Sequence, residues 1–347
     1  MSSSSQIWLF LTLHLLLMTL TYGLVLNTTP NVDHLVVLAH GIMGNGEDLR
    51  YLASLLETSG CTTLRSVSNE RNSLDGVKAG GEKLASEILG CIANNDQLKR
   101  ISLVGNSLGG LYMRYAMKIL FDDSDGTLGG LQPHRFMSIA TPHLGIRDWT
   151  FVEDYGFQAP DILKFLVSKA MFSTGRDLFG FTPDKTGDET LLFQMATDES
   201  FLKPLRVFNA RRLYANLQND LVVPLGTAAF MNDQQVKKLR TEYQGCSGIV
   251  TILNTYSEMR ERDLLNLPND SKKNRNDHKT GIMIDQLDRL GWDKVIVSFS
   301  GSLPLAHNKI CALNREPKWL FGDFLGFDAG QFVMKDASTW LSKDNLL

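Results

Sequence analysis

The chain has 347 residues, of which 43% are hydrophobic and 21% are charged, with 29 glycines and only 10 prolines. This composition is that of a globular protein with a large core, and it excludes disordered, collagen-like and repeat-array proteins. The formal charge of −3 provides no general attraction to nucleic acid, so we expect no nucleic-acid partner.

The four cysteines, Cys61, Cys91, Cys246 and Cys311, are far apart in the sequence. They form no Cys-x-x-Cys pair and have no histidine at ligand spacing, which argues against a zinc site. We expect mostly buried thiols, with room for one disulfide.

The N-terminus is an apolar run over 7–20 followed by Thr-Tyr-Gly at 21–23, which is typical of a signal peptide ending near residue 23. No Lys or Arg precedes Arg50, and the apolar run could extend through Leu26, so a signal-anchor is the alternative. A buried helix of the fold is a third interpretation. With sequons at Asn27 and Asn269, the sequence predicts the secretory pathway or membrane anchoring.

From Asn31 onward, short apolar runs alternate with segments in which apolar residues recur every three or four positions. This alternation predicts one α/β domain over 31–347 with a doubly wound, mostly parallel sheet. The predicted strands are 35–38, 64–67, 101–104, 136–140, 211–217 and 295–300, and the predicted helices are 48–57, 77–93 and 108–121.

The region 144–204 has no strand pattern but contains many aromatic residues and turn formers. We predict a helical cap inserted between two strands, lying over the catalytic edge of the sheet. Its crowded apolar residues favour a groove for acyl chains over a compact cap core. Residues 249–256 are a further strand candidate that could lie outside the main sheet, and the polar run 261–280 is predicted to be a surface loop.

The most specific motif is Gly105-Asn106-Ser107-Leu108-Gly109-Gly110, which lies between a predicted strand and a predicted helix. It matches the Gly-x-Ser-x-Gly nucleophile elbow, in which a strained turn exposes the serine hydroxyl at the edge of the sheet. The motif predicts Ser107 as a nucleophile, and the alternative is an ordinary glycine-rich turn.

A second loop, His40-Gly41-Ile42, follows the predicted strand 35–38. In hydrolases with a nucleophile elbow, such a loop supplies one backbone N–H of the oxyanion hole, and the residue after the nucleophile supplies the other. We therefore predict Ile42 and Leu108 as oxyanion donors. His40 is interpreted as structural, because the base follows the acid in this chain order.

The expected order of serine, carboxylate and histidine restricts the remaining partners. Asp220 follows the predicted strand 211–217, where an orienting carboxylate belongs, whereas Asp233 lies in a polar run typical of a helix start. His307 follows the last predicted strand, whereas His278 lies in the polar run before it. The predicted catalytic residues are Ser107, Asp220 and His307, with His134 and His143 interpreted as structural.

Five motifs occur in a fixed order along the chain. They are His40-Gly41-Ile42-Met43-Gly44, the elbow motif, Ala140-Thr141-Pro142-His143-Leu144-Gly145, Asn219-Asp220-Leu221-Val222-Val223-Pro224 and Leu305-Ala306-His307-Asn308. With these motifs, the chain over about 32–312 resembles the lipase-like family of α/β-hydrolases named putative serine esterases. The resemblance implies an α/β-hydrolase fold, a Ser-His-Asp triad and action on acyl esters. Many members of that family have histidine where this chain has Asn106, at the variable position of the elbow, so we expect the chemistry to be retained.

The resulting hypothesis is a carboxylic ester hydrolase in which His307 takes the Ser107 proton and Asp220 holds the imidazole. This chemistry needs no metal or organic cofactor. We expect a lipid or other acyl ester as substrate, and a membrane or lipid-droplet surface as a partner. Two alternatives stay open: an acyltransferase with the same triad, and a non-catalytic binding protein with a hydrolase pocket.

Overall fold

The computed structural model describes residues 33–146, 172–180, 189–256, 275–301, 304–315, 320 and 324–343. The predicted signal peptide or anchor, both sequons and part of the predicted cap lie outside these residues. Among the helices of the described ranges, none has the length and apolar character needed to cross a membrane.

Most described strands join one seven-stranded sheet. The strands are β1 (His34–Ala39), β2 (Thr62–Arg65), β3 (Arg100–Asn106), β4 (Phe121–Asp122), β5 (Thr127–Leu128), β6 (Gln132–Ile139), β7 (Ala210–Asn216), β8 (Gly248–Asn254) and β9 (Asp293–Ser298). The order in the sheet is β2-β1-β3-β6-β7-β9-β8, with β4 and β5 forming a separate antiparallel hairpin. Neighbouring strands of the sheet are parallel, except that β8 is antiparallel to β9.

Helices connect the strands and cover both faces of the sheet. They are α1 (Arg50–Thr58), α2 (Val77–Ala93), α3 (Leu108–Leu120), α4 (Phe172–Phe179), α5 (Leu191–Thr197), α6 (Glu199–Arg206), α7 (Leu225–Ala228), α8 (Asp233–Glu242), α9 (Arg275–Asp288), α10 (Ala306–Lys309) and α11 (Gln331–Ser342), with a 3₁₀ turn at Phe327–Gly330.

Strand β1 shows how the apolar runs build a core on each face of the sheet. Leu35 and Val37 belong to the cluster formed with α2 and α3, whereas Val36 and Leu38 belong to the cluster formed with α1 and α11. This alternation arises because successive strand residues point to opposite faces. All four side chains are buried, so the sheet is a rigid support for the loops at the C-terminal ends of its strands.

The predicted fold class, a mostly parallel doubly wound α/β sheet, is confirmed. All six predicted strands occur in the sheet, with ends that differ by up to four residues, and the predicted helix 77–93 coincides with α2. Within the predicted cap, the described residues form α4, α5 and the first part of α6.

Two expectations are wrong in detail. The strand at 249–256 is not outside the main sheet but is its antiparallel edge strand, β8, and its residues are mostly half-buried because one side has no neighbouring strand among the described residues. The run 261–280 is not wholly loop: 257–274 lie outside the described residues, but α9 begins at Arg275 and continues into the apolar residues Ile282 and Met283.

The four cysteines are free thiols, so the disulfide for which the sequence leaves room does not form. Cys61 and Cys311 are buried, Cys91 is half-buried and Cys246 is exposed.

Candidate active site

Ser107 lies in a strained turn between β3 and α3. Its φ of 54° and ψ of −127° lie outside the regions that residues other than glycine normally occupy, at a cost of about 1–3 kcal/mol. Neighbouring glycines allow the turn to pack: a Cβ on Gly105 would lie 2.3 Å from the Gly110 Cα, and one on Gly109 would lie 2.3 Å from the Ala39 carbonyl oxygen. The local sequence therefore folds as a nucleophile elbow.

His307 joins Ser107 to Asp220. Its Nε2 atom lies 3.0 Å from the Ser107 Oγ atom, and its Nδ1 atom lies 3.0 Å from Asp220 Oδ2. Ser107 and Asp220 are buried, while the His307 side chain is 11% exposed. The three side chains come from segments that follow three different strands, with His307 in the short helix α10, and they form the hydrogen-bond chain that nucleophilic acyl transfer uses.

Asp220 is held by four hydrogen bonds. Oδ1 accepts the backbone N–H groups of Val222 and Val223 at 3.0 and 2.8 Å, and Oδ2 accepts Asn216 Nδ2 at 2.7 Å in addition to the His307 contact. These donors orient the carboxylate toward the imidazole. Asn216, at the end of β7, escaped sequence reasoning, because an asparagine four residues before a candidate acid is not a distinctive signal.

The acid and histidine loops are also joined through their backbones. Asp220 and Leu305 form an isolated antiparallel bridge, and the Ala306 N–H donates to the Asn219 carbonyl oxygen at 3.2 Å. This pairing sets the separation of the carboxylate and the imidazole without relying on side chains.

The predicted oxyanion residues flank Ser107. Leu108 is the first residue of α3, so its N–H is among those that have no partner within the helix. On the other side, a Cβ on Gly41 would lie 2.8 Å from Ser107 Cβ, which places the Gly41-Ile42 peptide against the serine. The Gly41 carbonyl oxygen accepts the Gly44 N–H at 3.2 Å and lies 2.9 Å from His40 Nδ1.

The competing acid and base candidates lie elsewhere. Asp233 is exposed in the first turn of α8, after the N-cap Asn232, and His278 is exposed on α9. Asn232 and Gln235 form a capping box, which explains why the polar run begins a helix. Neither side chain has the environment of an orienting acid or a base.

The remaining histidines of the described residues are buried and engaged in other contacts. His143 Nε2 lies 2.9 Å from Ser138 Oγ, and burial, with Arg114 nearby, lowers the His143 pKa. His134 packs edge-on against the His34 ring, with centroids 4.9 Å apart. His40 contacts the Gly41 carbonyl oxygen, so its part lies in shaping the loop rather than in the triad.

A family model described as "Putative serine esterase (DUF676)" matches residues 29–234, more than half of the chain. The chain belongs to this family. The matched segment of this serine esterase family contains the elbow and Asp220 and ends before His307.

The serine esterase family match agrees with similarity to curated proteins. Putative lipase ROG1 of Saccharomyces cerevisiae is 32% identical over 229 residues, covering 61% of this chain and 32% of that protein. Putative lipase C4A8.10 of Schizosaccharomyces pombe is 32% identical over 212 residues, covering 57% of this chain and 26% of that protein. The aligned chain thus spans about a quarter to a third of the length of these relatives.

Similar solved structures include hydrolases. The monoacylglycerol lipase of Paleococcus ferrophilus has a TM-score of 0.37 at 14% identity, covering 89% of this chain and 93% of that chain. The propeptide form of the lipase BlEst2 of Bacillus licheniformis has a TM-score of 0.36 at 14% identity, covering 54% of this chain and 37% of that chain.

A cavity of about 80 Å³ lies among α4, α5, α9 and the loop after β6. Its wall is mainly apolar, with Lys279 and Asp177 among the polar residues that line it. Within the ranges the structure describes, no group of three or more His, Cys, Asp or Glu side chains is arranged to hold a metal ion. The apolar lining residues are Leu144, Leu178, Phe179, Leu192, Phe193 and Met283.

Proposed function

We propose that this protein is a serine hydrolase that cleaves carboxylic esters, with lipid esters as its substrate class. The observation that carries the proposal is the hydrogen-bond chain from Ser107 through His307 to Asp220, with both contacts at 3.0 Å, built on a nucleophile elbow. A serine and a histidine meet by chance in many cores, but an elbow serine with a carboxylate-backed imidazole is the arrangement that nucleophilic catalysis needs.

In the acylation half-reaction, Ser107 Oγ attacks the ester carbonyl carbon while His307 Nε2 takes the hydroxyl proton. The carbonyl oxygen becomes negative and accepts the N–H groups of Ile42 and Leu108. The imidazolium Nδ1–H donates to Asp220, which stays ionised. When the tetrahedral intermediate collapses, His307 returns the proton to the departing alcohol, leaving an acyl-enzyme.

The deacylation half-reaction repeats these roles with water as the nucleophile. His307 takes a proton from water, the hydroxyl oxygen bonds to the acyl carbon, and Ser107 leaves with the proton restored to Oγ. The products are a carboxylic acid and the free enzyme. The reaction consumes only the ester and water and needs no oxidant, reductant or activated donor.

Two observations support a lipid ester. Six of the eleven residues that line the cavity among α4, α5 and α9 are leucine, phenylalanine or methionine, which suits part of an acyl chain. The exposed apolar side chains Met43 and Val222 lie on loops that carry candidate site residues, and such exposure is typical of a surface that meets an apolar partner. The curated relatives are named as lipases, which agrees with this choice.

Labelling with an active-site phosphonate tests the proposed reaction. We expect one covalent adduct, mapped to the peptide containing Ser107, and loss of ester hydrolysis in proportion to labelling. The Ser107→Ala variant should take no label. An active wild-type protein that is labelled elsewhere, or not at all, would contradict the proposal.

A series of p-nitrophenyl esters from acetate to palmitate tests the lipid substrate class. Because each buried methylene contributes up to about 0.8 kcal/mol, kcat/KM should rise several-fold for every two added carbons until the cavity is full. Met283→Trp should reduce the efficiency of long esters more than that of acetate, whereas Ile119→Trp, on an exposed position of α3, should not. Best activity on acetate, with failure on long chains even in detergent, would favour a small-ester hydrolase instead.

A further inference from the structure

The loop after β1, defined here as the oxyanion loop (residues 41–48), is held at an unusual backbone conformation. Met43 has a φ of 53°, in the left-handed region that is unfavourable for residues other than glycine. Both polar groups of the Met43 backbone are bound: its N–H donates to Ser73 Oγ at 2.9 Å, and its carbonyl oxygen accepts Arg315 Nη2 at 3.2 Å. The residue after Ile42 is therefore fixed from two sides.

Arg315 is held in turn by Asp48. Its Nε atom donates to Asp48 Oδ1 and its Nη2 atom to Asp48 Oδ2, both at 3.1 Å. The Asp48 carboxylate is buried, and its Oδ2 atom also accepts the Asn45 N–H at 3.3 Å. A two-point contact of this kind fixes the plane of the guanidinium as well as its position, which a single hydrogen bond does not.

Arg315 connects the oxyanion loop to the segment that carries the candidate base. It follows His307 by eight residues, in the loop after α10, and the preceding Asn314 N–H donates to the Asp48 carbonyl oxygen at 3.3 Å. The oxyanion loop and the histidine segment are thus joined by side-chain and backbone bonds across 267 positions of sequence.

The orientation of the Ile42 N–H depends on these anchors. A peptide unit is planar and trans, so the Ile42 N–H points opposite to the Gly41 carbonyl oxygen. That oxygen is bound on its own side by the Gly44 N–H and faces His40 Nδ1. Met43 follows Ile42 directly in the chain. Movement of the Met43 backbone would therefore rotate the Gly41-Ile42 peptide and turn the Ile42 N–H away from Ser107.

We propose that Arg315 and Ser73 are positioning residues that hold the Ile42 N–H in place as an oxyanion donor, with Asp48 fixing Arg315. The inference rests on the proposed function, since it concerns the same site. None of the three side chains contacts Ser107 or His307 in the described structure, so their effect passes through the backbone of the oxyanion loop. Their loss should reduce the stabilisation of the transition state and leave substrate binding nearly unchanged.

The test compares ester hydrolysis by the full chain with Arg315→Gln, Arg315→Lys and Ser73→Ala. The fraction of active protein is measured first by phosphonate titration, so that kcat refers to competent sites only. Arg206→Gln is the matched control, because Arg206 makes a similar two-point contact with Glu199 on the exposed helix α6. A trifluoromethyl ketone, which forms a hemiketal oxyanion with the nucleophile, serves as a transition-state probe.

For Arg315→Gln we expect kcat per titrated site to fall by about 10- to 100-fold, less than the loss of a whole donor, with KM within about threefold. The inhibition constant of the ketone should rise by the same factor. Ser73→Ala should show the same pattern, Arg315→Lys should recover part of the loss through a single hydrogen bond, and Arg206→Gln should match wild type.

The outcomes separate this inference from the proposed function. A wild-type protein that neither hydrolyses esters nor takes the phosphonate at Ser107 overturns both. A labelled, active wild type with unchanged kcat per site in Arg315→Gln overturns the positioning role alone. The positioning role is also overturned if the whole loss of activity comes from a smaller fraction of active protein. It is overturned as well if the affinity for the ketone is unchanged while kcat falls.

Discussion

One serine–histidine pair lies within strand β3, and a second lies at the turn that follows the strand. At the C-terminal end, Ser107 Oγ lies 3.0 Å from His307 Nε2, and within the strand Ser102 Oγ lies 2.8 Å from His34 Nε2. Ser107 follows Ser102 by five positions, which corresponds to about 16 Å of extended chain. Two contacts of nearly equal length thus occur close together in the sequence, and only one of them belongs to the candidate active site.

The difference between the pairs lies in the second imidazole nitrogen and in access. His307 Nδ1 faces the Asp220 carboxylate, whereas His34 Nδ1 lies 3.8 Å from the Cys61 Sγ atom. His34 and Ser102 are fully buried, and burial, with His134 and Arg100 nearby, lowers the His34 pKa to about 3. The carboxylate orients the imidazole and stabilises its charged form, and access lets the substrate reach the serine, and the buried pair has neither.

Backbone geometry separates the two serines as well. Ser102 lies within β3, opposite Val36 of β1, at the point where the pairing of β3 with β6 shifts register, and its Oγ atom accepts the Arg135 N–H at 3.2 Å. Ser107 lies just beyond the strand, at a positive φ. The Ser102 hydroxyl therefore binds buried polar groups of the core, whereas the Ser107 hydroxyl is directed toward the His307 imidazole.

The largest expected effect is that of Ser107→Ala. Loss of the nucleophile should lower kcat by about 10⁵- to 10⁶-fold without unfolding the protein, because alanine fits at the elbow. Ester hydrolysis and circular dichroism of the purified variant measure both.

Ser102→Ala is the matched comparison on the same strand. It should keep wild-type kcat and lose about 1–3 kcal/mol of unfolding free energy, since His34 and the Arg135 N–H lose a buried partner. A large loss of activity in Ser102→Ala with a normal fold would undermine the distinction between the two pairs.

His307→Ala should lose nearly as much activity as Ser107→Ala, because the members of a triad act as a unit. His278→Ala should behave as wild type, since His278 is exposed on α9. Steady-state hydrolysis of one p-nitrophenyl ester by the two variants measures this difference in activity. The opposite ranking would mean that the base is misassigned.

Asp220→Asn tests the orienting role of Asp220 by replacing one carboxylate oxygen with an amide nitrogen. The amide can present an N–H to His307 Nδ1 and so favour the wrong tautomer, which should lower kcat by about 10⁴-fold while KM changes little. Asp233→Asn, on the exposed first turn of α8, is the control and should be silent. A loss of less than about tenfold in Asp220→Asn would remove the orienting role from Asp220.

The sequence was most informative where function depends on position along a strand. Ser107, Asp220 and His307 each follow the C-terminal end of a strand, in a fixed chain order, and parallel strands bring those ends to one edge. The structure brings the three side chains together, and their catalytic roles stay predictions. The sheet was predicted for the same reason, since apolar runs such as 101–104 signal burial on both faces.

The features that escaped prediction depend on contacts between distant segments. Arg315 and Ser73 meet Met43 only after the sheet has assembled, and neither has a local pattern that marks it. The sequence does not predict the place of strand β8 in the sheet, because an edge strand is half-exposed and shows only a weak pattern. The start of α9 has the sequence pattern of a loop, because its first residues are polar and its apolar residues begin later, at Ile282.

The last expected effect concerns stability rather than activity. His34 has a pKa of about 3 in the folded protein against 6.5 for an ordinary histidine, so below pH 6.5 the unfolded chain binds a proton that the folded chain does not. The stability contributed by the neutral, buried ring is therefore complete above pH 6.5 and is lost as the pH falls toward about 3. His34→Gln should reduce the slope of unfolding free energy against pH by up to about 1.4 kcal/mol per pH unit in this window. Urea unfolding at several pH values measures the slope, with His278→Gln as a control that removes an exposed imidazole. Equal slopes in wild type and His34→Gln would mean that the buried serine–histidine pair is not held neutral, and the contrast with the pair at Ser107 would then rest on the carboxylate alone.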